Sequence, residues 1–393
     1  MISTSAPSIP SRIRLAMSSA CMGIGAASSK RGTERLTLIK RRPRRHGWRC
    51  SMFRSALLAA AGLLALSACT SPMGGGLDAA AALPEGAGDC ASTVGEGGSQ
   101  AMMDVCVLSH DAMEGRLVGT PGNALARAYI IDRFEQIGVA PLGDSFEHPF
   151  SFQRRIDFRD PDSARETIDA VNLIARIPGA DSSKVMAVTA HFDHVGPGEN
   201  NEIYNGADDN ASGVAGLLAV AEHFTANPPA HDVLIIAFDA EEGGLNGARH
   251  FVESRPEGLG EVVFNLNLDM LGYSPDGDIW AAGAYHTPGL LPIVEAAADV
   301  ARVELKAGYD RPTGDPREDW TLLSDHGPFH VAGISFLYIG VEDHEHYHQP
   351  SDEFATIDPA FFNGVVDMVV DVAERSDAAL SEIAVMERRG AED

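Results

Sequence analysis

Hydrophobic and polar positions alternate with two different periods along most of the chain, from about residue 106 onward. Short apolar, often β-branched runs are typical of strands buried in a sheet, and they occupy residues 169–177, 184–190, 233–238, 262–269 and 334–341. Apolar residues at helical spacing predict helices over residues 123–137, 211–224, 288–301 and 359–375. Strands that alternate with helices predict an α/β fold with a largely buried sheet.

The first 68 residues follow a different pattern, that of an export signal. A basic segment over residues 41–54 precedes an apolar run over residues 56–66. A positive region, a short apolar stretch and small residues before a cleavage point are the parts of a secretory signal. The apolar run is too short to span a bilayer. Residues 1–68 are therefore predicted to be an N-terminal extension and signal peptide, with the start of the protein at Met1 or Met52.

The signal ends in Leu66-Ser67-Ala68-Cys69, which resembles a bacterial lipobox. In a lipobox the cysteine becomes the lipidated first residue of the mature protein; the alternative is an ordinary signal peptide with a chance cysteine. Lipidation of Cys69 predicts an exported lipoprotein, periplasmic or at the cell surface and anchored in the outer membrane. The membrane would then be contacted only through this lipid.

Domain boundaries follow from the change in pattern after Cys69. Residues 69–105 are rich in small residues and lack apolar periodicity, so we expect a flexible tether. Residues 106–385 are predicted to form the folded domain, and residues 386–393 a tail.

The distribution of charge excludes one class of partner. The chain has a formal net charge of −26, and residues 1–68 hold 12 of its 30 basic residues but one of its 56 acidic residues. The remaining 18 basic and 55 acidic residues give the rest of the chain a formal charge of −37. A protein this acidic repels a phosphate backbone, so no nucleic-acid partner is expected.

Two of the five cysteines remain as candidates for a disulfide. Cys21 and Cys50 leave with the signal, and Cys69 is the candidate for lipidation. Cys90 and Cys106 remain as an even pair in an oxidising compartment. They form either a disulfide that pins the tether to the domain or two free thiols.

Polar residues gather where the predicted strands end. Such loops are where open α/β sheets collect their functional side chains. The clusters are His191-Phe192-Asp193-His194, Gly206-Ala207-Asp208-Asp209-Asn210-Ala211-Ser212-Gly213, Asp239-Ala240-Glu241-Glu242-Gly243, Asn267-Leu268-Asp269-Met270, and residues 344–352.

Each cluster alone fits a structural role, such as a surface turn, a helix cap or a solvated helix start. Together they do not, because carboxylates that repeatedly follow buried strands repel one another and are costly to desolvate. A bound cation is the simplest way to hold them together. Imidazole and carboxylate ligands without thiolate suit zinc or a similar divalent ion.

The ordered set of motifs resembles the M28 family of zinc peptidases, which includes bacterial leucyl aminopeptidases, over about residues 107–373. The motifs are Arg116-Leu117-Val118-Gly119-Thr120-Pro121-Gly122, Ala190-His191-Phe192-Asp193-His194, Gly206-Ala207-Asp208-Asp209-Asn210-Ala211-Ser212-Gly213, Glu241-Glu242-Gly243, Asn267-Leu268-Asp269-Met270, Ser324-Asp325-His326-Gly327-Pro328-Phe329 and Tyr347-His348-Gln349-Pro350-Ser351-Asp352. The resemblance implies a three-layer α/β sandwich of the zinc-exopeptidase type, with a central, mostly parallel mixed sheet flanked by helices.

The resemblance also implies a set of ligands for two zinc ions. His191 and Glu242 would bind one ion, Asp269 and His348 the other, and Asp208 would bridge both.

Supporting roles follow from the same resemblance. Asp193 would accept the second ring N–H of His191 and fix the imidazole, and Asp209 would follow the bridging residue across a peptide bond that is often cis in the family. The neighbouring His344 and His346 depart from the family's usual final loop and could compete with His348 as ligands.

The implied reaction is peptide hydrolysis by a water that two metals activate. Glu241 matches the family's general base, which takes the proton of that water and passes it to the leaving amine. An aminopeptidase acting on peptides or small proteins with free N-termini is the expected activity. The alternatives are a carboxypeptidase, for which Arg311 or Arg317 would receive the terminal carboxylate, a glutaminyl cyclase with one zinc, and a non-catalytic binding domain.

Overall fold

The computed structural model describes residues 87–156, 163–198, 200–256, 258–315 and 317–389 of the 393-residue chain. The predicted signal, Cys69, the first part of the predicted tether and the last four residues lie outside this part of the chain.

Helices and strands alternate through the described domain. The helices are α1 (Cys90–Val94), α2 (Gln100–Leu108), α3 (Pro121–Ile137), α4 (Gly213–Ala226), α5 (Asn246–Glu253), α6 (Leu291–Ala298), α7 (His326–Val331), α8 (Pro359–Ala378) and α9 (Leu380–Ile383). The strands are β1 (Ala140–Pro141), β2 (Glu147–Arg155), β3 (Arg165–Ile177), β4 (Asp181–His191), β5 (Gly196–Pro197), β6 (Ile203–Tyr204), β7 (His231–Phe238), β8 (Glu261–Leu268), β9 (Asp278–Ala282), β10 (Glu304–Ala307) and β11 (Ser335–Gly340). None of the helices in the described residues is long and apolar enough to cross a membrane.

A nine-stranded mixed sheet forms the centre of the described domain, in the order β1-β3-β7-β4-β8-β11-β9-β10, with β2 paired to β3. The four central strands, β7, β4, β8 and β11, run parallel. Every residue of β7 and β11 is buried, as expected for parallel strands covered on both faces. The predicted α/β fold with a mixed central sheet is confirmed. The sheet is parallel at its centre rather than mostly parallel, because the pairs β1–β3, β2–β3, β3–β7 and β9–β11 are antiparallel.

Alternate residues of the sheet face two separate hydrophobic layers. In β4, Met186 and Val188 pack with the helices α2, α3, α4 and α8, whereas Val185 and Ala187 pack with α5 and α7. This two-residue alternation places helices on both faces and produces three layers.

The predicted elements of the domain agree with the structure to within a few residues. The helix predicted over residues 123–137 spans Pro121–Ile137 and ends at Gly138, whose φ of 85° is the left-handed geometry that glycine adopts easily. The helix predicted over residues 288–301 begins with a 3₁₀ turn at Pro288–Leu290 and continues directly as α6. The strands β2, β9 and β10 were not predicted, because they are short or carry polar residues on one face.

The predicted tether is shorter than its sequence indicated. Residues up to 105 were expected to be flexible, yet α1 and most of α2 lie within that range. Cys90 and Cys106 join the two helices through a disulfide with their Cα atoms 5.8 Å apart, and Met102 and Val105 are buried in the core. Ser99 caps α2 by accepting a hydrogen bond from the main chain of Met102. The low hydrophobic periodicity of this segment therefore does not exclude it from the folded domain.

Candidate metal centre

The four central parallel strands carry their functional residues to one edge of the sheet. Parallel strands bring their carboxyl ends together, and each of these four ends at a motif found in the sequence. β4 ends at His191, β7 is followed by Glu241 and Glu242, β8 by Asp269, and β11 by the loop that carries His348.

A first cluster consists of His191, Asp209 and Asp269, all buried. The Nε2 atom of His191 lies 3.2 Å from Oδ1 of Asp269 and 3.4 Å from Oδ1 of Asp209. The second oxygen of Asp269 accepts a 2.7 Å hydrogen bond from Ser324. The two carboxylates and one imidazole thus converge on one centre.

A second cluster consists of His194, Asp209, Glu242 and His348. Nε2 of His348 lies 3.0 Å from Oδ2 of Asp209 and 3.2 Å from Oε2 of Glu242. Nδ1 of His194 lies 2.8 Å from Oε1 of Glu242 and 3.7 Å from Oδ2 of Asp209. This centre has two imidazoles and two carboxylates.

Asp209, and not Asp208, is common to both clusters. Its two oxygens face different centres, Oδ1 toward His191 and Oδ2 toward His348. The cis peptide bond also follows Asp209, between Asp209 and Asn210. The sequence-based assignment of the bridging role to Asp208 is therefore off by one residue.

Asp208 is turned away from the clusters and stabilises the turn that carries Asp209. Its Oδ1 accepts hydrogen bonds from the main chain of Gly272 at 2.6 Å and from Ser212 at 3.0 Å, and its Oδ2 lies 2.9 Å from Nε2 of His344. Adjacent residues of the 207–212 turn point in different directions, and a motif with two consecutive aspartates does not indicate which one faces the centre.

The predicted pairing of the other ligands also differs from the structure. His191 was expected beside Glu242 and Asp269 beside His348, but His191 lies with Asp269, and Glu242 lies with His348. The order of the strands explains the difference. β4 lies between β7 and β8, so the imidazole of His191 can turn to either neighbour, and it turns toward β8.

His194 is a member of the second cluster that sequence reasoning missed. It belongs to the motif His191-Phe192-Asp193-His194, where only His191 and Asp193 received a role. Its side chain is fully buried, and its Nε2 has no hydrogen-bond partner among the described residues. The signal was present as a second imidazole three residues after the first.

Neither His344 nor His346 belongs to the two clusters. His344 pairs with Asp208, and Nδ1 of His346 lies 2.9 Å from Oγ of Ser351. Of the three histidines in this loop, His348 is the one whose ring nitrogen lies in a cluster.

Asp193 contacts His191 through its main chain and orients Glu241 through its side chain. Nδ1 of His191 lies 3.2 Å from the carbonyl oxygen of Asp193, whereas the nearest carboxylate oxygen is 3.9 Å away. That same oxygen, Oδ1, accepts a 2.9 Å hydrogen bond from the main-chain N–H of Glu241. The expected carboxylate–imidazole hydrogen bond is therefore replaced by a carbonyl contact.

A chain of polar side chains that the sequence did not predict holds Asp269. Thr189 donates to Oδ1 of Asn267 at 2.6 Å, Asn267 donates to Ser324 at 2.9 Å, and Ser324 donates to Asp269. All four side chains are buried, so their hydrogen bonds satisfy one another and fix the carboxylate.

Three non-glycine residues at the centre have left-handed backbone geometry. Ala240, Met270 and His348 have φ values of 60°, 62° and 51°. Ala240 directly precedes Glu241, Met270 directly follows Asp269, and His348 is itself a cluster residue. Such geometry costs of order 1 kcal/mol or more per residue and concentrates at functional sites.

Burial and charge shift the titration of the acidic groups strongly. Burial raises the pKa of Glu241 well above the usual glutamate range, opposed by His191 and reinforced by Asp325 and Asp269. For Glu242 burial is outweighed by hydrogen bonds from His194 and His348, which lower its pKa. Burial lowers the pKa of His348, but hydrogen bonds and charge interactions with Asp209 and Glu242 outweigh this effect and raise that pKa to about 10. The second cluster therefore favours the ionised form of Glu242.

A cavity of about 170 Å³ opens beside both clusters. Apolar and aromatic side chains form much of its wall, and Glu241 and Asp343 contribute carboxylates. Its lining residues are His191, Asp209, Glu241, Glu242, Asp269, Met270, Trp320, Leu323, Ser324, Tyr338, Val341, Asp343, Tyr347 and His348.

The donor atoms of the two clusters fit zinc. Their ring nitrogens and carboxylate oxygens lie within 4.8 Å of one another in each cluster, and no thiolate takes part. Zinc in catalytic sites is bound by imidazole and carboxylate groups, with three protein ligands and one open position as the common arrangement. The first cluster has that number of ligands.

Comparison with known proteins identifies a family model and several relatives. The model described as peptidase family M28 matches residues 172–373, about half of the chain. The aminopeptidase YwaD of Bacillus subtilis is 31% identical over 197 residues, which are 47% of this chain and 39% of that protein. The probable lipoprotein aminopeptidase LpqL of Mycobacterium tuberculosis is 31% identical over 192 residues, which are 46% of this chain and 36% of that protein. The chain thus matches well under half the length of these relatives.

Solved structures share the fold. A zinc aminopeptidase from Bacillus subtilis superposes with a TM-score of 0.56 at 17% identity, covering 70% of this chain and 94% of the other. A glutaminyl cyclase from Bacteroides thetaiotaomicron superposes with a TM-score of 0.52 at 20% identity, covering 69% and 95%. At these identities the likeness concerns the fold, and the chemistry has to be argued from the side chains.

Proposed function

Because the chain belongs to peptidase family M28, we propose that it is a zinc-dependent aminopeptidase that uses two metal ions. The observation that carries the proposal is the arrangement around Asp209. Its two carboxylate oxygens face two separate groups of imidazoles and carboxylates at the edge of one cavity.

Each ion would have its own set of ligands besides the shared Asp209. His191 and Asp269 would hold one ion, and Glu242, His348 and His194 the other. The second set has one more imidazole than the resemblance implied, so we expect the second ion to be the more tightly held.

The reaction divides between metal and protein. Bound zinc would supply a Lewis acid that lowers the pKa of a water molecule and polarises a carbonyl. Glu241 lines the cavity but belongs to neither cluster, so its carboxylate is left to take a proton from the attacking water and deliver it to the leaving amine. Asp193 accepts a hydrogen bond from the main-chain N–H of Glu241, and thereby fixes the backbone position from which the Glu241 side chain extends.

The cavity favours a substrate amine over a substrate carboxylate. Among its lining residues there is no arginine or lysine, and two of its carboxylates, Glu241 and Asp343, lie outside the metal clusters. The arginines considered for a carboxypeptidase have other contacts. Arg317 pairs with Asp315, and Arg311 lies over the ring of Tyr285. A terminal carboxylate would therefore meet the charges of Glu241 and Asp343 without an arginine or lysine of the cavity to bind it.

The first test compares free and blocked amines. Leucine and alanine anilides should be cleaved, whereas their N-acetylated forms should not, because acetylation removes the ammonium that the cavity carboxylates would bind. Release of the aniline, measured by absorbance, reports both. Equal cleavage of free and acetylated anilides, or release of amino acids only from C-termini, would contradict the aminopeptidase proposal.

A glutaminyl cyclase is the second candidate, since one solved structure with this fold carries that name. Two clusters that share one carboxylate favour two ions, whereas a cyclase would need one. Incubation of the zinc-loaded protein with a peptide that begins with glutamine separates the two. Loss of ammonia without cleavage of the peptide bond indicates a cyclase, and release of free glutamine indicates an aminopeptidase.

Export and lipidation complete the proposal. One relative is named a lipoprotein aminopeptidase, and Cys69 ends a sequence that resembles a lipobox. We expect Cys69 to carry lipid and to hold the protein at a membrane outside the cytoplasm, where it would meet peptides and small proteins. Its position is outside the described residues.

The Cys69→Ser variant should lose the anchor, because serine cannot form the thioether. Fractionation should then move the protein from the membrane to the soluble fraction or leave its signal unprocessed, and a Cys50→Ser variant should behave as the wild type. Mass spectrometry of the mature N-terminus decides the matter. An unmodified N-terminus at another residue would refute the lipid anchor.

A further inference from the structure

We propose that Arg116 is a positioning residue of the metal centre, which ties two ligand-bearing segments together without using any carboxylate. The inference rests on the proposed function, since it concerns the same site. Arg116 was recognised in the sequence only as part of a motif, and neither the two clusters nor the cavity includes it.

The guanidinium of Arg116 is fully buried, and its hydrogen bonds all end on main-chain carbonyls. Nε donates to the carbonyl of Phe192 at 2.7 Å, Nη1 to those of Asn205 and Leu108 at 2.6 Å each, and Nη2 to that of Gly206 at 2.9 Å. The rigid fork of donors in arginine suits several fixed acceptors at once.

These carbonyls belong to the segments that carry the metal ligands. Phe192 lies between His191 of the first cluster and His194 of the second. Asn205 and Gly206 lead into the turn that presents Asp209. One side chain therefore sets the spacing between the loop after β4 and the turn before α4.

A third segment is connected through Asn123. The Nδ2 atom of Asn123 donates to the carbonyl of Arg116 at 3.2 Å and to Oδ1 of Asp239 at 2.9 Å. Asp239 follows β7 and lies two residues before Glu241. Arg116 has left-handed backbone geometry, with a φ of 50°. Asn123 thus links the main chain of this residue to the loop that carries Glu241.

The remaining contact attaches the arrangement to the N-terminal helices. Leu108 is the last residue of α2, the helix that the Cys90–Cys106 disulfide joins to α1. α2 also packs against the 207–212 turn. The guanidinium is therefore also bound to a helix that a disulfide joins to α1.

Charge gives Arg116 a second effect on the same residues. Burial lowers the pKa of Arg116 to about 10, and Asp209, Asp352, Asp193 and Glu242 oppose this shift, so the group stays cationic at neutral pH. Because carbonyls take all its hydrogen bonds, the cation offsets part of the negative charge without occupying the oxygens of Asp209 and Glu242.

Arg133 offers a matched control. It is also a buried arginine near α2, but its guanidinium pairs directly with the carboxylates of Asp104 and Glu222 and contacts no ligand-bearing segment. Removal of either side chain should lower the melting temperature. Only removal of Arg116 should change the metal centre.

The experiment measures zinc affinity by competition with a chromophoric chelator, together with melting temperature and anilide kinetics. We expect Arg116→Met to weaken zinc binding by about 10- to 100-fold, the usual effect of losing a group that orients metal ligands. Arg116→Lys keeps the charge but cannot reach all the carbonyls, and should give a smaller loss. Arg133→Met should bind zinc as the wild type does, despite its lower melting temperature.

Two outcomes would overturn the inference. One is zinc affinity of Arg116→Met within about twofold of that of Arg133→Met, which would make Arg116 a stabilising residue only. If Arg116→Met does not fold, an unchanged zinc affinity in Arg116→Lys has the same meaning. A wild-type protein that binds zinc but cleaves no anilide would contradict the proposed function and leave the inference about Arg116 standing.

Discussion

The Asp209→Asn variant is expected to lose zinc from both clusters. Asp209 is the one residue common to them, and asparagine keeps its size but replaces one anionic oxygen by an amide nitrogen that cannot bind a cation. We expect zinc affinity to fall at least about 100-fold, beyond the effect of residues that only orient ligands. Elemental analysis after dialysis, with anilide hydrolysis measured in parallel, provides the test.

Asp208→Asn is the matched control, since it makes the same chemical change one residue earlier. Asp208 contacts Ser212, Gly272 and His344 but neither cluster, so this variant should retain two zinc ions per chain and lose thermal stability. The reverse result, with zinc lost in Asp208→Asn and kept in Asp209→Asn, would restore the bridging role that the sequence motif suggested.

The Glu241→Gln variant is expected to keep its zinc and lose most of its activity. Glu241 lines the cavity outside both clusters, so its loss removes proton transfer and leaves the metal ligands in place. A decrease of kcat by at least about 10²-fold is expected for removal of a general base. Steady-state kinetics with leucine anilide, combined with a zinc count on the same sample, measure both quantities.

Glu242→Gln serves as the control for Glu241→Gln, because the two glutamates are adjacent and differ only in what they face. Glu242 lies 2.8 Å from His194 and 3.2 Å from His348, so its variant should lose zinc along with activity. Near-normal kcat in Glu241→Gln would show that another group moves the proton.

Sequence alone determined the fold class and the chemical character of the site. Residues 233–238 form a continuous apolar run rich in β-branched side chains, which is typical of a strand buried on both faces. The strand β7 could therefore be predicted closely. Clustered carboxylates and imidazoles after such strands predicted a cation site because ionised groups of like charge do not gather there without one. These properties depend on residues that are near one another in the chain.

Tertiary structure decided which ligands share a centre. His191 and Asp269 belong to different strands, and their pairing follows from β4 lying beside β8 in the sheet, a neighbour relation that local periodicity does not encode. The roles of Asp208 and Asp209 depend on how one turn is held by contacts from Gly272, His344 and Asp352, which are distant in sequence.

The contacts of the buried residues that stabilise the site were likewise decided by the three-dimensional structure. Arg116 and Ser324 stand in motifs that the sequence shows, yet the ligand-bearing segments that they contact lie 55 or more residues away in the chain. The helices α1 and α2 carry so little hydrophobic periodicity that they resemble a tether, and a disulfide together with a few buried side chains makes them part of the domain. Local pattern reports the propensity of a segment, whereas these roles depend on long-range packing, which local pattern does not contain.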